Sequence, residues 1–248
     1  MKIKVSVAAM ALVLALGACG GGDGNGGTAA VGSEQLQLEP IAAPNNGDWT
    51  EVVERTDEGG FRMGNPDARV KLVEFASMTC PACASFSGAA SESLKNDYIR
   101  TGHVSLEFRN FVRDPADATA SLLARCQSPA AFFRFTEQLF AEQSSWMGNM
   151  TEQEANAIQA MPPERQVPAL AAALELDQFF RRRGVPEAEV NACLSNQQEL
   201  ARLADLTRVA NERHGVAATP SFLLNGELLE TGADWPRLEA RIRGALAR

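Results

Sequence analysis

Histidine is nearly missing from this chain: His103 and His214 are the only two in 248 residues. A structural zinc site needs two pairs of cysteine or histidine ligands. The one close cysteine pair, Cys80 and Cys83, has no second pair to complete such a site. Positive charge is also short, with 23 Lys and Arg against 31 Asp and Glu and a formal charge of −8. An acidic surface of this kind argues against nucleic acid as a partner. No internal repeat is visible. The apolar run at residues 5–16 is too short to span a bilayer as a stable helix.

What the chain does have is concentrated at residues 70–94. Val70, Leu72, Val73 and Phe75 read as a short buried strand. Cys80-Pro81-Ala82-Cys83 follows, and then Phe86, Ala90 and Leu94 at helical spacing. Pro81 suits the first turn of a helix, where its missing N–H has no partner to lose. That order sets Cys80 just ahead of a helix N-terminus, whose unpaired N–H groups and dipole favour a thiolate. Cys83, inside the first turn, is placed to resolve a mixed disulfide at Cys80. A purely structural bridge between them would close a tiny loop and add little stability. The pattern points to dithiol–disulfide exchange, carried by the two sulfurs themselves with no cofactor or metal.

The sequence V-E-F-x-x-x-x-C-P-x-C around Cys80 resembles the DsbA family of bacterial extracytoplasmic thiol–disulfide oxidoreductases, which have the thioredoxin fold. A second mark of that family, Ala218-Thr219-Pro220-Ser221-Phe222, lies far downstream, where its members carry a cis-proline loop. The resemblance implies an α/β thioredoxin fold, with a mixed central sheet and an all-helical domain inserted at about residues 114–196. It implies that Thr219 and Pro220 face the disulfide and offer backbone to a substrate peptide, an ordinary trans proline opening an edge strand being the other reading. It also implies an acid at Glu74 to handle the proton of Cys83; by strand alternation alone, Glu74 could equally face solvent. One position departs from the family. Ala82 stands where the best-studied oxidases have a histidine that helps stabilise the reduced thiolate.

At the start, Met1-Lys2-Ile3-Lys4 and the apolar run behind it suit a signal peptide. Leu16-Gly17-Ala18-Cys19 resembles the bacterial lipobox, so residues 1–18 are expected to be a lipoprotein signal peptide and Cys19 the lipidated residue. Cleavage after Gly17 is the alternative; Leu16, three residues before Cys19, suits the lipoprotein pattern better. Acylation would give stable membrane attachment. Residues 19–48 are Gly-rich and polar and read as a flexible tether, with a reach of roughly 30 Å. Residues 49–248 are long enough for one domain.

Along that domain, residues 49–55 read as an edge strand, 69–75 as a central strand and 103–111 as a second core strand. The helix between the last two makes them a parallel pair. Helices are expected near 116–126, 129–143, 151–160, 168–174, 176–183 and 187–194, the third opened by a capping box at Thr151 and Glu154. The phenylalanines at 132, 133, 135 and 140 read as core, with peptide binding as the lesser reading. A helix at 197–213 ends at Gly215. Asn225-Gly226 then marks a hairpin, and a closing helix covers about 235–246. Cys126 and Cys193, an even pair in an oxidising compartment, are expected to form a structural disulfide; two separately buried thiols remain the alternative.

The function expected is an extracytoplasmic, lipid-anchored thiol–disulfide oxidoreductase. Its partners would be thiols and disulfides of secreted or envelope proteins and a membrane protein that recycles the dithiol, and a monomer is expected. Net oxidation leads, with isomerase or reductase activity next. A redox-inert, lipid-anchored peptide-binding protein is the reading from a different class, and the intact Cys80/Cys83 pair counts against it.

Overall fold

Short apolar stretches separated by turns and one long polar-faced helical region must share a single sheet. A computed structural model of the chain, which describes residues 38–248, shows how they do so. Strands β1 (Val53–Arg55) and β2 (Phe61–Gly64) pair antiparallel. Next come β3 (Val70–Ala76), helix α1 (Pro81–Ser93) and β4 (Val104–Asn110). A wide turn at Leu94–Tyr98 and a tight one at Ile99–Thr101 carry α1 on towards β4. β3 and β4 run parallel, with Leu72 opposite Leu106 and Glu74 opposite Phe108.

The chain then turns helical: α2 (Pro115–Arg125), α3 (Pro129–Ala141), α4 (Gln143–Met147), α5 (Glu152–Gln159), α6 (Pro163–Ala173), α7 (Leu176–Arg181) and α8 (Glu187–Leu194). Helix α9 (Gln197–His214) leads back to the sheet and stops at Gly215, whose φ of 68° closes its C-terminus. Strands β5 (Ser221–Leu224) and β6 (Glu227–Leu229) form a hairpin through Asn225 and Gly226, both at positive φ. Helix α10 (Trp235–Leu246) follows, capped by Asp234. Sheet order is β1-β2-β4-β3-β5-β6, with β5 antiparallel to β3. This is a thioredoxin-type mixed sheet with a helical insertion after β4.

Strand alternation divides the core. Leu72, Glu74 and Ala76 of β3 are buried on one face, and Phe75 is buried on the other against Ala210 of α9 and Leu223 of β5. The insertion is joined to the first face by aromatic packing. Phe132 stacks on Phe61 of β2 with ring centroids 3.8 Å apart and meets Phe108 of β4 edge-on at 5.5 Å, while Phe135 and Phe180 stack within the insertion. Arg125, fully buried at the C-terminal end of α2, pairs with Glu199 of α9 at 2.7 Å. Its guanidinium also donates to the Gly59 carbonyl and to Asn110 Oδ1, each at 3.0 Å. Beside it, Cys126 and Cys193 are joined by a disulfide with Cα atoms 5.7 Å apart.

The structure differs from the sequence expectations in places with identifiable causes. Residues 38–48, assigned to the tether by composition, lie on the domain. Ile41 N–H donates to Thr101 O, Trp49 Nε1 donates to Ile41 O, and Leu38 and Ala43 pack on the core. Gly102 makes room for this, since a Cβ there would meet Trp49 Nε1 at 2.6 Å. The edge strand is only Val53–Arg55, because Asp48 caps a tight helical turn at Trp49–Glu51. Strand β2 was not anticipated. It is four residues between glycine-rich turns, too short for its own periodicity to show, and pairing with β1 and β4 makes it a strand. Helix α6 begins at Pro163 and runs through Pro168, because burial of Val167, Leu170 and Ala171 outweighs the lost hydrogen bond.

The disulfide closes a loop across 67 positions. For a loop of that size the chain-entropy relation assigns about 4 kcal/mol. The double substitution Cys126→Ala with Cys193→Ala is therefore expected to lower unfolding stability by about that much in urea titrations. An unchanged midpoint and slope would show that the bridge contributes nothing to the fold.

Candidate active site

The site grows out of the end of β3. Residues 77–80 leave the sheet as a tight turn in which Cys80 N–H donates to Ser77 O at 3.1 Å. Cys80 is the residue just ahead of α1, and Pro81 takes the first helical position. Cys80 Sγ thus lies at the positive end of the helix dipole. Phe86, one turn further on, packs against Phe222 of β5 at 4.7 Å and against Trp235 of α10. That packing draws the loop before β5 up to the helix start, 139 residues away in sequence, so that the Cys80 thiol donates to Thr219 O at 3.2 Å. The Thr219–Pro220 peptide is cis. Glu74, six residues before Cys80, is buried and lines a cavity with Phe86, Leu106, Phe108 and Phe140.

The structure therefore gathers Cys80, Cys83, Glu74, Thr219 and Pro220 around one helix end. It puts Cys126 and Cys193 elsewhere, in the insertion. The signal peptide, Cys19 and the tether up to residue 37 lie outside the described residues.

Both thiols at the site are free, and their environments differ. Burial pushes the Cys80 thiol up, but hydrogen bonds from the Thr219 side chain, from Cys83 and from the Ala82 N–H outweigh it and leave Cys80 below the usual thiol range. Cys83 is fully buried, and burial pushes its thiol well above that range. A hydrogen bond at the Ser77 backbone opposes the rise, and the nearby charges of Glu74 and Cys80 add to it. One negative charge is thus accommodated at the pair, on Cys80. Burial pushes the Glu74 carboxyl up to about 8, so at neutral pH it holds a proton.

Three side chains at this site were not identified from the sequence: Asp114, Asp117 and Gln143. All three come from the insertion, and all three bond the turn that carries Cys80. Asp117 Oδ1 accepts the Met78 N–H at 2.8 Å, and Asp114 Oδ2 accepts the Thr79 hydroxyl at 2.6 Å. Gln143 Nε2 donates to the carbonyls of Met78 and Cys80 at 2.8 and 3.0 Å. Asp114-Pro115 reads as a helix start, but nothing in the sequence tells what lies opposite it. Pro81 and Ala82, which follow Cys80, and Ala217 and Ala218, which precede Thr219, are exposed. Among the described residues no cluster of His, Cys, Asp or Glu is arranged to hold a metal ion.

A thioredoxin fold with a proline-started helix, a low-pKa thiol at its N-terminus and a cis-proline loop against that thiol defines a class of dithiol proteins. A family model described as thioredoxin matches residues 56–243, and the chain belongs to that family. Its sequence and fold are similar to the crystal structure of a protein-disulfide isomerase from Novosphingobium aromaticivorans. Identity is 34% with a TM-score of 0.72, over 75% of this chain and 97% of that one. The fold is also that of alpha-DsbA1 from Wolbachia pipientis, at 20% identity and a TM-score of 0.62 over 75% and 90% of the two chains. A Rickettsia prowazekii protein provisionally named a protein-disulfide oxidoreductase is 26% identical over 178 residues. That match covers 71% of this chain and 58% of the rickettsial protein, so the chain spans little more than half of that relative.

The Glu74 carboxyl generates a test. An acid whose folded pKa is raised stabilises the fold fully below its unfolded value of about 4.5, and that contribution is lost as pH rises through about 8. Asp117, which burial pushes up to about 6, acts in the same direction at lower pH. Urea-unfolding stability of the reduced protein should therefore fall between about pH 4.5 and 8, and Glu74→Gln should flatten the part of the fall above about 6. Superimposable profiles for the two proteins would show that Glu74 is not a buried, protonated acid.

Proposed function

We propose that this chain is a lipid-anchored thiol–disulfide oxidoreductase of the extracytoplasmic space, exchanging disulfides with secreted or envelope proteins. The observation that supports it most is the placement of Cys80 just ahead of α1, with its thiol against Thr219 O and Cys83 buried inside the first turn. With the pair oxidised, a substrate thiolate attacks Cys80 Sγ, the Cys80–Cys83 bond breaks, and Cys83 leaves with the electron pair. Glu74 supplies the proton that a buried Cys83 thiol requires. A second substrate thiolate then attacks the substrate sulfur of the mixed disulfide and releases Cys80 as a thiolate. Two electrons pass from the substrate, which leaves as a disulfide, and a membrane redox partner removes them from the dithiol. Thr219 and the cis Pro220 hold the substrate backbone beside Cys80.

Net oxidation is the leading direction. Isomerase activity is the second reading, favoured by the named activity of the 34% identical structural relative and by the uncharged Ala82 in the motif. In the same reading, residues 1–18 are a lipoprotein signal peptide, Cys19 carries the lipid, and the Gly-rich stretch behind it is a tether.

Cys80→Ser is expected to abolish exchange, while Cys83→Ser accumulates substrates as mixed disulfides that run as high-mass species on non-reducing gels. Full oxidase turnover by the Cys83→Ser protein would sink the assigned roles. Cys19→Ala is expected to move the protein from the membrane fraction to the soluble fraction with its exchange activity intact; retention in the membrane would point to another anchor.

A further inference from the structure

The turn that presents Cys80 has no exposure to spare for solvation. Ser77, Met78, Thr79 and Cys80 are all buried, so their backbone groups need protein partners. Asp117 takes the Met78 N–H, the Ser77 hydroxyl takes the Thr79 N–H, and the Ser77 carbonyl takes the Cys80 N–H. The carbonyls of Met78 and Cys80 are both met by one group, the Nε2 of Gln143. Only the –NH2 end of a carboxamide can sit between two carbonyl oxygens, so this orientation is set by the network. Gln143 itself is buried, and it opens α4 in the helical insertion.

We propose that Gln143 is a positioning residue for Cys80, orienting the peptide ahead of α1 and thereby setting the redox equilibrium of the Cys80–Cys83 pair. This rests on the redox reading given above. The peptide between Cys80 and Pro81 has no N–H, so its carbonyl is the only polar backbone handle on it. That carbonyl is held by Gln143 and by the first helical bond from Ala84 N–H at 3.2 Å. Because a peptide unit is planar, fixing this carbonyl fixes where the following residues begin. The Ala82 N–H and Cys83, which bond Cys80 Sγ, are those residues. An oxidised sulfur carries no charge and gains little from that aim. A reduced Cys80 carries the charge and gains from it, so the Gln143 contacts favour the dithiol over the bridge.

The experiment is equilibration of the full chain with glutathione buffers. Two glutathione thiols give two electrons to the Cys80–Cys83 bridge and leave as glutathione disulfide, with two protein thiols formed. Gln143→Met keeps the length of the side chain and removes both donors. Its equilibrium constant is expected to move about tenfold towards the bridge, a fall of about 30 mV. The Cys80 thiolate absorbance should titrate at higher pH than in the wild type. Gln143→Glu should match Gln143→Met when the introduced carboxyl is ionised and recover part of the loss at acidic pH, where a protonated carboxyl regains one donor. A role confined to packing would lower the urea stability of oxidised and reduced forms equally and leave the potential unmoved. That result overturns the proposal. A wild-type chain that does not equilibrate with glutathione at all would overturn instead the redox reading beneath it.

Discussion

Two sulfur atoms three residues apart have to hold very different affinities for a proton, and the start of one helix arranges this. Cys80 stands outside the first turn, where N–H groups without helical partners face it. Cys83 stands inside that turn, pressed into the core beside Glu74. Burial acts on both and is the larger single influence on each. At Cys80, donors from Ala82, Cys83 and Thr219 outweigh it; at Cys83 they do not. A thiolate that forms on Cys80 is therefore stable, while one on Cys83 needs a proton. Glu74, with its own pKa raised to about 8, is the nearby group that holds one at neutral pH.

The remainder of the domain keeps that helix start in place from two directions. From the sheet side, Phe86 against Phe222 sets α1 over β5, and the loop before β5 brings Thr219 to Cys80. From the insertion side, Asp114, Asp117 and Gln143 bond the turn before the helix. The insertion is in turn tied to the sheet by Arg125, which meets Glu199, Gly59 and Asn110, and is closed on itself by Cys126–Cys193. Burying a guanidinium is costly unless its donors are met. Here Glu199 accepts from Nε, and the Gly59 carbonyl and Asn110 Oδ1 accept from Nη1. The insertion acts as one support of the turn that carries Cys80, and the sheet as the other.

The exposed residues next to Cys80 and Thr219 are Pro81, Ala82, Ala217 and Ala218, an uncharged set. None of them is a charged neighbour for the reduced sulfur, so the stabilisation of Cys80 falls to the helix start and the groups that hold it.

Much of this was legible in one dimension because it depends on local order. A buried strand, C-P-x-C and a helix place Cys80 at a helix N-terminus whatever else the chain does. Asn225-Gly226 makes a hairpin, Thr151 and Glu154 make a capping box, and Gly215 ends α9, each through bonds to near neighbours. Strand β2 could not be read, since four residues carry no period and their state was decided by the strands on either side. The fate of residues 38–48 was hidden for a similar reason: polar composition suggests a tether, and only the gap over Gly102 lets Ile41 and Trp49 close on each other. Whether Glu74 faced core or water depended on the register of β3 against β4 and α1. The partners of Asp114, Asp117 and Gln143 lie 35 to 65 positions away, and nothing in their spacing announces them. The sequence by itself determined where Cys80 and Cys83 stand, because a cysteine at a helix start is a matter of neighbouring residues. Only the tertiary structure decided what surrounds them, because burial and long-range hydrogen bonds arise when distant segments share a core.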